Sequence, residues 1–309
     1  MTDAAAREAV GRRRFLAPAR AQVDRACFGH PLFTAYAAYE DLMVAGDWPA
    51  IDALDVRLAL PGRQLVEQDD ALLADGLHYE QRIAQGRIAT RPCNWHDLFN
   101  ALVWARYPQI KHALNARQCR DLHRDAPGGR TRAQAALTQF DETGVVVRVR
   151  DAALAGAWDR HDWDALFVQG ADAWRNGDIA VAAVFGHALM EQALLPGRRL
   201  VGKCLLTEAE GDAQAVAQVA QAIMHGERLC DPLDLRPLPL MGIPGWHGLQ
   251  DAAFYRQVDY FRPRREGRTY PPINGRTTPP RALHTPPPEP QIRSGRSAAP
   301  PRTRRPRAS

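Results

Sequence analysis

Hydrophobic residues fall into two kinds of helical stretch along this chain. In the first kind they recur three and four apart and leave a polar face. Pro31 to Ala45, Asp75 to Gln85, Pro108 to Leu122 and Asp212 to Met224 follow that spacing and predict helices. Gly46 and Gly86 supply stop signals, and prolines open the first and third helices, where a missing N–H costs nothing. In the second kind the apolar residues run almost all the way round. Asn94 to Arg106 and Phe185 to Leu195 are of this type, which predicts helices buried on every side. The first of these opens on Asn94, a strong N-cap, with Asp97 at the third helical position, and stops before Pro108.

The remaining segments are less regular. Arg132 to Leu137, Ala152 to Trp158 and Trp163 to Trp174 predict further helices. Arg57–Leu60 and Gln64–Gln68 read as short strands either side of Pro61-Gly62. Phe140-Asp141-Glu142-Thr143-Gly144, followed by the β-branched run Val145 to Val149, predicts a hairpin with Asp141 and Glu142 in its turn. Ile179 to Val184 fits either a buried strand or the start of a helix. Asp231 to Gly248 has four prolines and three glycines among apolar residues, which predicts an extended segment laid over the core. The expected fold is α+β: a single helix-dominated domain over residues 14–262 with a small sheet or hairpin, then a disordered tail over 263–309.

Charge changes the picture at that boundary. Arg262 to Ser309 holds twelve arginines against Glu266 and Glu289, so this segment carries +10 and residues 1–261 carry −5. Such an Arg/Pro-rich segment cannot bury enough apolar surface to fold. It offers contacts to nucleic acid or to an acidic protein, whereas the folded part has no basic excess of its own. Five cysteines without a CxxC argue against a disulfide framework or a structural zinc site. With no apolar run long enough for a membrane span or a signal peptide, the expectation is a bacterial-type cytoplasmic protein. Only Lys111 and Lys203 stand among 38 arginines, which reads either as chance survival in an arginine-biased chain or as two places where a compact amine is required.

The chemistry is expected on the two buried helices. His96 and Asn100 are four apart and form a polar stripe on the first; His187 and Glu191 repeat that spacing on the second. Buried polar groups without partners cost about 1–3 kcal/mol each, so it is economical for the stripes to meet. His96, His187 and Glu191, with Asp141 or Asp97 nearby, would then form an acid–base group or hold a divalent metal, and mixed His and carboxylate suits Zn, Mn or Fe. Lys111 or Lys203 would take an anionic substrate group, with Asn100 and Asn115 orienting it.

Several of these residues also carry a likeness. Asn94-Trp95-His96-Asp97-Leu98-Phe99-Asn100-Ala101 is followed by Lys111 and Leu114-Asn115. Then come Phe140-Asp141-Glu142, Phe185-Gly186-His187-Ala188-Leu189, and Pro239-Leu240 with Pro244-Gly245-Trp246. In this order they resemble a proteobacterial family catalogued as domain of unknown function 3025, over about residues 30–262. The resemblance implies membership and brings no activity, cofactor or catalytic residue. Two functional readings follow. One is a metal-dependent hydrolase with a His/carboxylate pocket. The other is a non-catalytic interaction protein whose buried polar residues are structural and whose basic tail binds an acidic partner.

Overall fold

The computed structural model describes residues 16–122 and 130–273. The helix-dominated α+β expectation holds. The elements used below are α1 (Ile51–Leu58), β1 (Gln64–Glu67), α2 (Tyr79–Ala84), β2 (Arg87–Thr90), α3 (Trp95–Arg106), α4 (Pro108–Leu122), α5 (Arg132–Thr143), β3 (Gly144–Val149), α6 (Ala152–Arg160), β4 (Ile179–Val184), α7 (His187–Ala193), β5 (Val201–Thr207), α8 (Asp212–His225) and β6 (Arg236–Pro239).

Four strands form the central sheet in the order β4-β3-β5-β6; β3 runs parallel to β5, and the other pairs are antiparallel. Val145, Val146 and Val147 are fully buried, as expected for a strand covered on both faces. Helix α8 packs against β3, β4, β5 and α4, and α5 packs on β3 and β5. A second, two-stranded parallel pair, β1 with β2, sits beside α1 and α2. No helix among the described residues is long and apolar enough to cross a membrane.

Helix α3 is the buried rod its sequence implies. Asn94 Oδ1 accepts the Asp97 amide at 3.1 Å and caps it. Phe99, Leu102 and Val103 are fully buried, and Trp95 stacks on Phe99 with centroids 5.5 Å apart. Helix α5 starts in a capping box, in which Thr131 Oγ1 accepts the Gln134 amide and Gln134 Oε1 accepts the Thr131 amide.

Three expectations are corrected. Arg57 and Leu58 end helix α1 rather than starting a strand. Asp141 and Glu142 are not in a hairpin turn: α5 continues through Thr143, and β3 pairs with the distant β4 and β5. Helix persists because Ala136, Leu137 and Phe140 continue its buried face. Residues 263–273, given to the tail on composition, lie against the domain: Arg236 Nη2 donates to Pro271 O at 2.7 Å, and Tyr270 OH lies 2.7 Å from His161 Nε2. The rest of the tail, with its proposed partners, falls outside the described residues.

The junction between α5 and β3 meets the start of α7 in a tight main-chain contact. Gly144 O accepts both the Phe185 and Gly186 amides, each at 2.9 Å. A Cβ on Gly186 would lie 2.4 Å from Thr143 Cα and 2.6 Å from Gly144 N. Gly186→Ala should therefore force backbone apart and lower stability by about 3 kcal/mol. Urea denaturation tests this; an unchanged midpoint would show that the junction has slack.

Candidate metal or acid–base site

The α5–α7 junction sets Glu142, near the end of α5, close to His187, the first residue of α7. Helix α7 also packs on α3, and this brings the two polar stripes together. His96 Nε2 and His187 Nε2 lie 3.0 Å apart, with the rings nearly perpendicular. Glu191 Oε2 is 3.2 Å from His96 Nδ1, and Glu142 Oε2 is 3.8 Å from His187 Nε2. One ligand atom each from His96, His187 and Glu142 lies within 4.8 Å of the other two.

These partners dictate the protonation of the pair. His187 is 4% exposed; burial drives its pKa down to about 3, so the ring is neutral. Its buried Nδ1 has no hydrogen-bond partner, and its Nε2 faces His96. Burial pulls the His96 pKa down too, but the Glu191 hydrogen bond and the charges of Glu142, Glu191 and Asp97 outweigh it, and the net shift is upward. His96 thus donates from Nδ1 to Glu191 and from Nε2 to His187. One proton sits where two imidazole lone pairs converge. Burial raises the Glu142 pKa, which eases exchange of charge at this point.

A second network braces the first. Lys111, 5% exposed, donates to Asn100 Oδ1 and Asp141 Oδ1, both at 2.7 Å, and lies over the rings of Trp104 and Phe185 at 5.4 and 5.7 Å. Burial alone would raise the Asp141 pKa, but the charge and hydrogen bond of Lys111 hold it below the ordinary carboxylate value. Asn100 Nδ2 donates to Tyr79 OH at 3.0 Å. Arg91 grips Asp97 with two side-chain bonds, of 2.9 and 2.7 Å, and a main-chain bond of 2.6 Å. This ties the end of β2 to the start of α3.

The groups open onto a cleft of about 740 Å³, lined further by Gln68, Gln118, Gln134, Thr138 and Arg130. Of the residues expected at the site, His96, His187, Glu191, Asp141, Lys111 and Asn100 are brought together. Glu191 meets the nitrogen of His96 that faces away from His187, and Asp141 is occupied by Lys111. Asn115 lies alongside, donating to Glu80 Oε2 at 2.7 Å. Lys203 is elsewhere, on β5 opposite Gly144 and Pro237, beside Arg265 and Arg268. Glu142, Tyr79 and Glu80 were not anticipated in these positions. The signal for Glu142 was present: Gln134, Thr138, Asp141 and Glu142 make an i, i+4, i+7, i+8 stripe along one face of α5.

Because the folded protein refuses a proton on His187 that the unfolded chain accepts near pH 6.5, its contribution to stability is present above 6.5 and is lost as pH falls toward 3. His96 has the opposite sign: its contribution is complete below 6.5 and fades as pH rises through its elevated folded pKa. Between pH 7 and pH 5 the His187 part amounts to about 2 kcal/mol. Denaturation at the two pH values should show a smaller acid loss in His187→Asn than in the parent; equal losses would mean that His187 is not buried neutral.

A family model described as a protein of unknown function (DUF3025) matches residues 63–265. No curated protein and no solved structure matches the chain.

Proposed function

The chain belongs to the DUF3025 family of unknown function, and from its own side chains we propose a metal-dependent hydrolase acting on a polar substrate. What carries the reading is the convergence of His96 Nε2, His187 Nε2 and a Glu142 oxygen at the cleft. Two imidazoles bound to one ion at about 2.1 Å and about 90° have nitrogens about 3.0 Å apart, whereas a tetrahedral ion sets them about 3.4 Å apart. The observed 3.0 Å fits adjacent positions of a six-coordinate ion. Two His and one carboxylate leave the remaining positions for water and a substrate oxygen, and a divalent ion acidifies its bound water enough to make a nucleophile at neutral pH. The cleft is open and its walls carry amide, hydroxyl, carboxylate and guanidinium groups, which suits a reaction that consumes water.

Around the ion each neighbour has a task. Glu191 fixes the His96 tautomer from behind by accepting its Nδ1 proton. Lys111 neutralises Asp141 and keeps it off the ion. Arg91 does the same for Asp97.

The second reading, an interaction protein with structural polar stripes, draws on the same 3.0 Å separation, which is also the length of a direct N–H···N hydrogen bond. Elemental analysis of untagged protein separates the two. The hydrolase reading expects Zn, Mn or Fe near one per chain, lost in His96→Ala, His187→Ala and Glu142→Gln, and bound about 10–100-fold more weakly in Glu191→Gln. A folded protein that neither carries nor takes up any of these ions leaves the interaction reading.

A further inference from the structure

The direction of the hydrogen bonds in the Lys111 network singles out one more group. Lys111 can only donate. Its bond to Asn100 therefore fixes the amide with Oδ1 toward Lys111 and Nδ2 toward Tyr79. Tyr79 OH must then accept from Asn100, so its own proton points elsewhere. Among the described residues no acceptor lies within hydrogen-bond distance of that proton, and Tyr79 lines the cleft beside His96 and His187. Asn100 stands one helical turn from His96 on α3, so its bond to Tyr79 holds the phenol on the face of that helix that carries the first imidazole.

We propose that Tyr79 is a substrate-binding residue: its hydroxyl, aimed by Lys111 through Asn100, donates a hydrogen bond to an oxygen-acid ligand whose other oxygen is bound to the ion. The ligand class is a carboxylate, hydroxamate or phosphate, or the oxyanion that forms when water adds to an acyl or phosphoryl group. The donor is preset, because a chain that begins at an ammonium cannot reverse. Burial, followed by the charges of Glu80, Asp141 and Asp97, raises the Tyr79 pKa, so it stays a neutral phenol with a proton to give. Lys111 is suited to its place because an ammonium reaches two acceptors 2.7 Å away beneath two aromatic rings, where a planar guanidinium would have to splay.

This inference rests on the metal reading, and its test separates the two. The full-length protein is loaded with Co(II), whose visible bands report ligands on the ion, and titrated with acetohydroxamate. Tyr79→Phe should keep the parent's cobalt affinity and ligand-free spectrum but bind the hydroxamate about tenfold more weakly. Asn100→Asp offers the phenol an acceptor and turns its proton away from the cleft, so it should cause a similar loss with Tyr79 intact. In the Tyr79→Phe background the same change should add little; a full additional loss would mean that the new charge, not the turned proton, weakened binding, and would count against the relay. Normal cobalt binding with equal hydroxamate affinity in parent and Tyr79→Phe overturns the Tyr79 assignment alone. Parent protein that gives no cobalt bands overturns the metal reading and this ligand geometry together.

Discussion

The contact of Thr143-Gly144 with Phe185-Gly186 leaves no room for a methyl group, and the polar centre of the molecule stands on it. Gly144 O receives two amides from the other segment, and glycine on each side lets the backbones approach this closely. The side chains next to this contact are Glu142 and His187. Their separation is thus set by main chain and not by flexible rotamers, which is the kind of support a precise polar site requires. The third member, His96, is delivered by the all-round burial of α3, with Glu191 holding its far nitrogen.

Desolvation makes this arrangement more than a packing solution. His187 is buried deeply enough to remain neutral, while His96, surrounded by Glu191, Glu142 and Asp97, attracts a proton. Two chemically identical rings with nitrogens 3.0 Å apart are pushed in opposite directions by their surroundings. Pairs of titratable groups driven apart in this way are characteristic of sites that bind ions or move protons. The buried Lys111–Asp141 pair would be costly in isolation, but both partners are bonded and the ammonium also faces two rings. Its return is orientation: it fixes Asn100, and through it Tyr79.

Much of this was legible in the sequence where the signal is local. The bounds of α3, α4 and α8 follow from caps, prolines and spacing, and the meeting of His96 with His187 follows from polar stripes on otherwise apolar helices. What escaped was non-local or rested on a misread period. The parallel pairings of β1 with β2 and β3 with β5 join segments more than twenty residues apart, and nothing in either strand names its partner. Glu142 was misplaced because the valine run after Gly144 drew the hairpin back into α5; with helix through Thr143, Glu142 falls on the stripe of Gln134 and Thr138. Residues 263–273 look disordered by composition, yet Tyr270 beside His161 and the Arg236–Pro271 bond hold them to the domain.

The central claim is that two imidazoles and a carboxylate converge to hold one ion. X-ray absorption on protein loaded with a single equivalent of Zn(II) or Co(II) reads this directly. Two imidazole nitrogens at about 2.1 Å, with oxygen filling the remaining positions, is the expected spectrum. An ion surrounded by oxygen alone, with no imidazole scattering, would contradict it.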